Sequence, residues 1–277
     1  MNTSPIRHTA TYRRIAAHLT LGLFLVSLLS GLLPVFTYHP SAAYDSVQKL
    51  SFLIPYGAFF RQLHYFSSEL FLLVLLGHAA LELGRRAITI SRPSWVYAVT
   101  GLGVAVLLMF SGFILKGDQS GSAAAQVALH LMGQTPLLDR LVPLVKDTEL
   151  FYSKFFVWHV IFLPLLLVWM TWKHIGKIVA RREYWIIGLG LSVLLLLFIT
   201  MPEDIAPTAT VEHLQGPWFF RGAENLLQLG LNSWQVTTIV AIPFGLLLLY
   251  PFVQKPLRVT AALALWLIGY TVVSLIV

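Results

Sequence analysis

Long apolar runs separated by shorter polar stretches are the main pattern in this chain of 277 residues. A helix that spans a membrane needs about 20 mostly apolar residues, and several runs are close to that length or longer. We therefore predict an all-α integral membrane protein with seven transmembrane helices. The seven runs cover residues 15–37, 59–83, 95–115, 152–175, 185–201, 234–250 and 259–277.

The composition agrees with a membrane protein, since 57% of the residues are hydrophobic, 11% are charged and the mean hydropathy is +0.76. Soluble globular proteins have about 25% charged residues, so this chain has too few charges to cover a surface that faces water. The first apolar run follows Arg13 and Arg14, as the apolar region of a signal peptide would. It is longer than that region, which has about 7–15 residues, so we interpret it as a span.

The basic residues predict how the spans are oriented. Twelve of the nineteen Lys and Arg residues lie in the N-terminus and in the loops after the second, fourth and sixth spans, with only the acids Glu82 and Glu183 among them. Nine of the twelve acids lie on the opposite side. Because basic loops stay in the cytoplasm, we expect an inner-membrane protein with a cytoplasmic N-terminus and a periplasmic C-terminus. This rule accounts for the net charge of +7, and we expect no nucleic-acid partner.

The chain contains no cysteine but has nine histidines. The absence of cysteine excludes disulfides, cysteine-ligated iron–sulfur clusters, thiolate zinc sites and thioether-attached haem. A metal in this chain would have to be held by histidine, carboxylate or methionine. The histidines are therefore the first residues to consider as ligands.

Two of the predicted spans each carry a pair of histidines at nearly the same spacing. His64 and His78 are fourteen residues apart in the second span, and His159 and His174 are fifteen apart in the fourth. These spacings are about four helical turns, so the members of a pair lie on nearly one helix face, about 21–23 Å apart. Both spans run from the outside to the inside. His64 can therefore face His159 near the outer surface, and His78 can face His174 near the inner surface.

Two histidines that meet across a helix bundle at each of two depths are typical of two stacked bis-histidine haems. The pattern predicts two non-covalent haem b groups, an outer one held by His64 and His159 and an inner one held by His78 and His174. A single histidine in a span can instead be a packed residue or part of a proton relay. Four histidines in two matched pairs favour haem ligation.

Basic residues stand next to the histidines in the sequence. Arg61 precedes His64 by about one turn, and Lys154 precedes His159 by five residues, so both can neutralise haem propionates at the outer surface. Four further basic residues can serve the inner haem, although membrane orientation explains them equally well. They are Arg85, Arg86, Lys177 and Arg182.

Small residues occur at matching positions in the first and third spans. Gly31 and Gly112 lie at the outer level, and Ala17 and Ala98 lie fourteen residues before them at the inner level. Small side chains let a porphyrin approach the helix backbone, although ordinary helix packing uses them too.

Two ionisable residues in the spans are candidates for proton transfer. His18, near the inner end of the first span, is either a proton group of a quinone site or an interfacial anchor. Glu69, five residues after His64, is either an acid of a quinone site or proton path, or a hydrogen-bonded residue. The remaining loop histidines, which we interpret as surface residues, are His39, His130 and His213.

Several short motifs accompany the histidine pairs: Arg61-x-x-His64, His159-Val-Ile-Phe-Leu-Pro164, Ser30-Gly31, Tyr38-His39-Pro40-Ser41, Ala43-Tyr44-Asp45-Ser46-Val47, Trp95-Val96, Gly112-Phe-Ile-Leu, and Pro202-Glu-Asp-Ile-Ala-Pro207 through Gly216-Pro-Trp-Phe-Phe220. Together with the two spacings, they resemble the cytochrome b of bc-type quinol oxidoreductases. The likeness is strongest to the chloroplast-type form, in which a four-helix cytochrome is followed by a three-helix subunit IV. It covers nearly the whole chain.

The resemblance implies a dihaem four-helix region at residues 1–182 and a subunit IV-like three-helix region at 183–277. It implies the membrane subunit of a respiratory quinol oxidoreductase, which passes electrons between a quinone site and a redox partner on the outer face. The chain has no soluble redox domain. We therefore expect a multisubunit complex in the lipid membrane, dimeric in the family, with a periplasmic c-type cytochrome or an iron–sulfur subunit as partner.

Two outer motifs depart from the family pattern. Where the family has Pro-Glu-Trp-Tyr, this chain has Pro217-Trp218-Phe219, so the glutamate proposed as the family's proton acceptor is missing. Where the family has Leu-Pro-Trp-Asp-Gln, this chain has Leu115-Lys116-Gly117-Asp118-Gln119. Glu224, Glu212 or Asp118 can replace the lost base, and each can equally be a solvated loop acid.

Two other functions fit part of the pattern. A transmembrane ferric or oxygen reductase also pairs histidines on two helices, but it needs a flavin and nicotinamide domain, and this chain has no Gly-x-Gly-x-x-Gly stretch. A haem-free transporter or structural anchor would use the histidines for protons or packing. The spans offer almost no buried polar path for a transporter outside the histidines and Glu69.

Overall fold

The computed structural model describes residues 5–83, 90–146, 149–176, 178–209 and 214–276, with side chains described from residue 11 onward. This part of the chain is helical and contains no strand. The α-helices are α1 (Pro5–Ser30), α2 (Leu32–Thr37), α3 (Ala43–Phe52), α4 (Gly57–Glu82), α5 (Arg92–Leu115), α6 (Gln119–Gly133), α7 (Val142–Val145), α8 (Phe151–Val157), α9 (Leu163–Ile175), α10 (Arg182–Phe198), α11 (Trp218–Gln228), α12 (Ser233–Leu249) and α13 (Pro256–Leu275).

Six of the predicted spans are helices long and apolar enough to cross a membrane, within the described residues. They are Thr11–Thr37, Gly57–Glu82, Arg92–Leu115, Phe151–Ile175, Ser233–Phe252 and Pro256–Leu275. The remaining predicted span, residues 185–201, corresponds to α10, which has 17 residues. That length is at the lower limit of about 17–25 residues for a spanning helix. The all-α membrane fold predicted from the apolar runs is confirmed.

The fourth predicted span contains a π-helical turn, Trp158–Phe162, between α8 and α9. Pro164 follows this turn and has no N–H to donate within the helix, which disturbs the regular hydrogen-bond ladder. Such π-helical turns are frequent at functional sites, and this one contains His159.

Two compact units are present, and each is continuous in space but not in sequence. The first consists of Met1–His39, Asp45–Met109 and Leu163–Glu203. In it, α1 packs on α4 and α10. A Cβ placed on Gly22 would lie 2.6 Å from the carbonyl oxygen of Tyr184, so glycine is what permits α1 and α10 to approach. Leu23 and Leu72 are completely buried in this unit.

The second unit consists of Pro40–Tyr44, Phe110–Phe162 and Asp204–Val277. Its apolar core joins α6, α11 and α12, and α13 contributes Val273 to the edge of this core. Two helices begin at side-chain caps, because Asp118 accepts a hydrogen bond from the Gly121 N–H and Asn232 forms a reciprocal capping box with Gln235. The core residues that are buried are Leu131, Ala223, Leu226 and Val236.

The two units interleave along the chain, since α5 contributes residues to both. The division into a four-helix region at 1–182 and a three-helix region at 183–277 follows a family likeness rather than contacts. It stays a prediction.

Candidate haem-binding site

His64 is held by the first span. Its half-buried imidazole lies on α4, and Nδ1–H donates to the carbonyl oxygen of Ser27 at 2.9 Å. Gly31, one turn after Ser27, lies directly against the ring, since a Cβ there would be 3.1 Å from both Cε1 and Nδ1 of His64. This hydrogen bond from Nδ1 fixes the tautomer and orientation of the ring, as in histidines that bind a metal through Nε2.

His159 has similar surroundings on the third span. Its Nδ1 lies 3.0 Å from the Ser111 hydroxyl oxygen. A Cβ on Gly112 would lie only 2.7 Å from Cε1 of the His159 ring. A serine and a glycine of α5 therefore fix this imidazole through Nδ1 and through close contact with the backbone.

His174 is fixed at the other end of α5. Its Nδ1–H donates to the Ser94 carbonyl oxygen at 3.0 Å, and the Ser94 hydroxyl lies 3.0 Å from the same nitrogen. The Ser94 hydroxyl also donates to the His174 carbonyl oxygen at 2.7 Å. Ala98, half-buried, follows Ser94 by one turn.

His78 is half-buried on α4 and interacts electrostatically with both His174 and Glu82. The structure therefore brings His78 and His174 together within the first unit. Ala17, on α1, is half-buried. His64 and His159 belong to different units, so their pairing stays a prediction.

The residues present fit the haem that the sequence predicts. In metal sites, a ligating histidine usually donates its second N–H to a carbonyl or a carboxylate, which orients the ring. His64 and His174 each donate Nδ1–H in this way, and His159 has a hydroxyl at the same nitrogen. The glycines under two of the rings leave space that any Cβ would fill.

The basic residues predicted to neutralise haem propionates have the following contacts and burial. Arg61 donates from Nη1 to the Ser51 hydroxyl on α3 at 2.9 Å. Lys154 is half-buried on α8. Arg85, Arg86 and Lys177 lie outside the described residues.

Asp118 has a structural role in the fold. Its completely buried carboxylate caps α6 at the Gly121 N–H and accepts a hydrogen bond from Lys116 Nζ, both at 2.8 Å. Lys116 also lies 3.7 Å from Asp204. Because both oxygens of Asp118 are engaged and one of them is paired with a lysine, this acid is poorly placed to accept a proton.

Unlike Asp118, Glu224 forms no ion pair with a lysine among the described residues. It is half-buried on α11, and its carboxylate accepts a hydrogen bond from the Gly216 N–H at 2.9 Å. Burial raises the pKa of Glu224 above its ordinary value, although the Gly216 hydrogen bond and the Arg221 charge oppose the shift. Glu212, the third acid considered from the sequence, lies outside the described residues.

The two ionisable residues in the spans have identifiable neighbours. Glu69 is half-buried and interacts electrostatically with Tyr65, one turn earlier on α4. His18 stacks on Tyr184 of α10, with the ring centroids 5.1 Å apart and the planes 19° apart. His39 and His130 are exposed, as expected of surface residues, and His213 lies outside the described residues.

The sequence analysis missed Ser27, Ser94 and Ser111 as positioning residues. A signal for them exists in hindsight, because Ser27 and Ser94 each precede a small residue by four positions and Ser111 directly precedes Gly112. This signal is weak, since serine is common in spans that pack closely.

Comparison with known proteins gives consistent results. The sequence profile of the family described as Cytochrome b(N-terminal)/b6/petB matches residues 86–184. Cytochrome b6 of Heliobacterium mobile is 27% identical in an alignment of 175 positions that covers 60% of this chain and 82% of that protein. Cytochrome b of Bugula neritina is 25% identical in an alignment of 300 positions, gaps included, that covers 90% of this chain and 79% of that protein.

A third relative and one solved structure agree with these matches. The menaquinol:cytochrome c reductase cytochrome b subunit of Geobacillus thermodenitrificans is 25% identical over 66% of this chain and 84% of that protein. A chain of the structure named hyperthermophilic respiratory Complex III has a TM-score of 0.69 at 16% identity, covering 95% of this chain and 91% of that one. At this identity the structural match shows the fold alone. This chain is thus a multi-pass membrane protein, and its resemblance to the cytochrome b of bc-type quinol oxidoreductases is confirmed.

Proposed function

We propose that this chain is a dihaem b-type cytochrome, the membrane subunit of a respiratory quinol/quinone electron-transfer complex. It passes electrons across the membrane between a quinone site and a redox partner on the outer face. The observation that carries the proposal is the Nδ1 contact of three of the four span histidines, which orients each ring as the partners of metal-ligating histidines do.

The four span histidines would hold the two haems, His64 with His159 at the outer level and His78 with His174 at the inner level. A haem iron at each level supplies a one-electron redox centre in the apolar interior. Gly31 and Gly112, with Ala17 and Ala98, give the space that a porphyrin needs next to a helix backbone.

Arg61 and Lys154 are proposed to neutralise the outer propionates. The contact of Arg61 with Ser51 engages Nη1. A guanidinium has five N–H donors in a planar arrangement that suits a carboxylate. Replacing Arg61 with Ala is expected to shift the midpoint potential of the outer haem while its ligation stays intact.

We assign quinone binding or proton transfer to ionisable residues near each end of the bundle. His18 is the candidate at the inner side, and Glu69 and Glu224 are candidates toward the outer side. Asp118 was predicted in the same group, and its engagement in the α6 cap disfavours it.

The proposed setting is the inner membrane, with the N-terminus in the cytoplasm and the C-terminus in the periplasm. Net turnover requires a soluble redox partner, for which a periplasmic c-type cytochrome or an iron–sulfur subunit is proposed. The complex is proposed to be multisubunit, and a dimer in the manner of the family.

Paired histidine variants test the ligand assignment. His64→Ala and His159→Ala should each remove one haem, and the double variant of these two residues should still retain one. Combining His64→Ala with His78→Ala should remove both haems, because the two residues belong to different pairs. His130→Ala is the matched control, since this histidine is exposed on α6 and belongs to neither pair. Loss of both haems in the His64/His159 double variant, or no loss in either single variant, would contradict the pairing.

A further inference from the structure

Helix α11 packs on the turn of α5 that contacts His159. The rings of Phe220 and Phe110 are 4.9 Å apart, and Phe110 immediately precedes Ser111 and Gly112. Ser111 and Gly112 are the two residues in contact with the His159 imidazole. The start of α11 is therefore next to the His159 site, within one compact unit.

On the same helix, Glu224 is half-buried. Its neighbours are the Gly216 N–H, which donates to its carboxylate at 2.9 Å, Arg221 one turn earlier, and Tyr270 of α13. The Tyr270 hydroxyl itself donates to the Phe219 carbonyl oxygen at 3.1 Å. A cation, one backbone donor and a tyrosine thus surround this acid, and the cation makes no close ion pair with it among the described residues.

Two other described acids differ from Glu224 in whether they can accept a proton. Asp118 is occupied by a helix cap and by Lys116. Glu203 is exposed to solvent. Glu224 alone among these three is partly buried and free of a lysine partner.

We propose that Glu224 is the proton acceptor for a quinol that binds beside the His159 site. This inference rests on the proposed function and names the residue that takes the place of a base at the outer side. When the quinol is oxidised, it gives two electrons to the redox centres of the complex and loses two protons. In the step assigned here, one O–H bond of the quinol breaks and an O–H bond forms on the Glu224 carboxylate, from which the proton passes to water.

Burial supports this role, because it raises the pKa of Glu224. A base whose pKa lies closer to the working pH is more effective in proton transfer than an ordinary surface carboxylate. The charged and titratable groups that face Glu224 are Arg221 on its own helix and Tyr270 on α13. Of its neighbours, the Gly216 N–H and Arg221 keep the ionised form accessible.

The test compares Glu224→Gln with the control Glu203→Gln in the purified complex. Haem reduction by a short-chain quinol is followed across a pH series, and haem content and midpoint potentials are measured in parallel. Glu224→Gln should keep both haems and their potentials but slow reduction at least about 100-fold, the usual size of a general-base contribution. It should also lose the pH dependence, while Glu203→Gln behaves as wild type.

Two further measurements keep the inference open to refutation. An infrared pH titration of wild type should show a protonated carboxyl band that Glu224→Gln lacks, and Glu224→Asp should restore the pH dependence of reduction. A Glu224→Gln variant with wild-type rate and pH profile would overturn the inference and leave the haem assignment standing. A wild-type protein without haem would overturn the proposed function itself.

Discussion

Gly112 lies against the imidazole of His159, so closely that a Cβ on Gly112 would be 2.7 Å from Cε1 of the ring. Gly31 stands in the same relation to His64, at 3.1 Å. Real Cβ atoms are almost never found as close as the first distance, whereas the second requires only a small displacement. The two glycines thus fix how near each histidine lies to the neighbouring span.

These contacts predict graded effects of alanine. Gly112→Ala should displace His159 and reduce haem content at the outer level, and Gly31→Ala should have a smaller effect of the same kind. Gly77→Ala is the control, because Gly77 precedes His78 and its Cβ would have no neighbour within 4 Å. The measurement is the haem content per polypeptide in the purified variants. Equal loss of haem in all three variants would contradict the explanation.

The contact of the Ser111 hydroxyl with His159 predicts an effect of this serine on haem retention. Ser111→Ala removes the hydroxyl 3.0 Å from His159 Nδ1, and loss of such partners usually weakens metal binding about 10- to 100-fold. Ser94→Ala should have a smaller effect, because the Ser94 carbonyl still accepts from His174 Nδ1. Haem transfer to an excess of a haem-scavenging protein measures this difference. Ser192→Ala, which affects only a bond to Gly188, should release haem as slowly as wild type.

The buried charges near Lys116 predict an asymmetric effect on stability. Asp118 is completely buried and Asp204 nearly so, and Lys116 is within 4 Å of both carboxylates. Lys116→Met should cost about 3 kcal/mol, because it leaves buried carboxylates without their cation. Asp118→Asn should cost less, since asparagine also caps helices well and Lys116 keeps Asp204. Thermal unfolding in detergent compares the two, and a more damaging Asp118→Asn would contradict the account.

Glu224 predicts a pH dependence of stability. Burial raises its folded pKa above the ordinary value of about 4.3, so its stabilising contribution is present below that value. The contribution is lost as the pH rises through the raised pKa. Wild type should therefore lose stability relative to Glu224→Gln over this interval, as measured by apparent melting temperatures across a pH series. Parallel curves for the two proteins would show that the pKa is not raised.

Much of the membrane fold was predictable because long apolar runs are a strong local signal. The spacings of fourteen and fifteen residues stand out in the sequence for a similar reason, since helix geometry aligns each pair on one face without reference to distant contacts. The haem ligation that they suggest stays a prediction. Gly112 was expected to make room for a porphyrin at the outer level, and its contact with the His159 ring was not predicted.

The remaining features depend on contacts that a one-dimensional pattern does not contain. Asp118 and Glu224 both belong to the outer loops predicted from the sequence. Only the fold shows that Lys116 pairs with Asp118 and that Glu224 is partly buried beside Tyr270 of α13. The serines near the imidazoles were missed because their role depends on helix rotation. The fifth span was predicted to end at Met201, whereas α10 has 17 residues and ends at Phe198. The ends of a span therefore depend on local turns.

The haem content of the purified wild-type polypeptide tests the central claim most directly. Haem is extracted and counted per chain, and a dithionite-reduced minus oxidised spectrum identifies its type. The account predicts two b-type haems per chain. No haem in well-folded protein would contradict it, and the histidines would then serve proton transfer or packing, as in a transporter or an anchor.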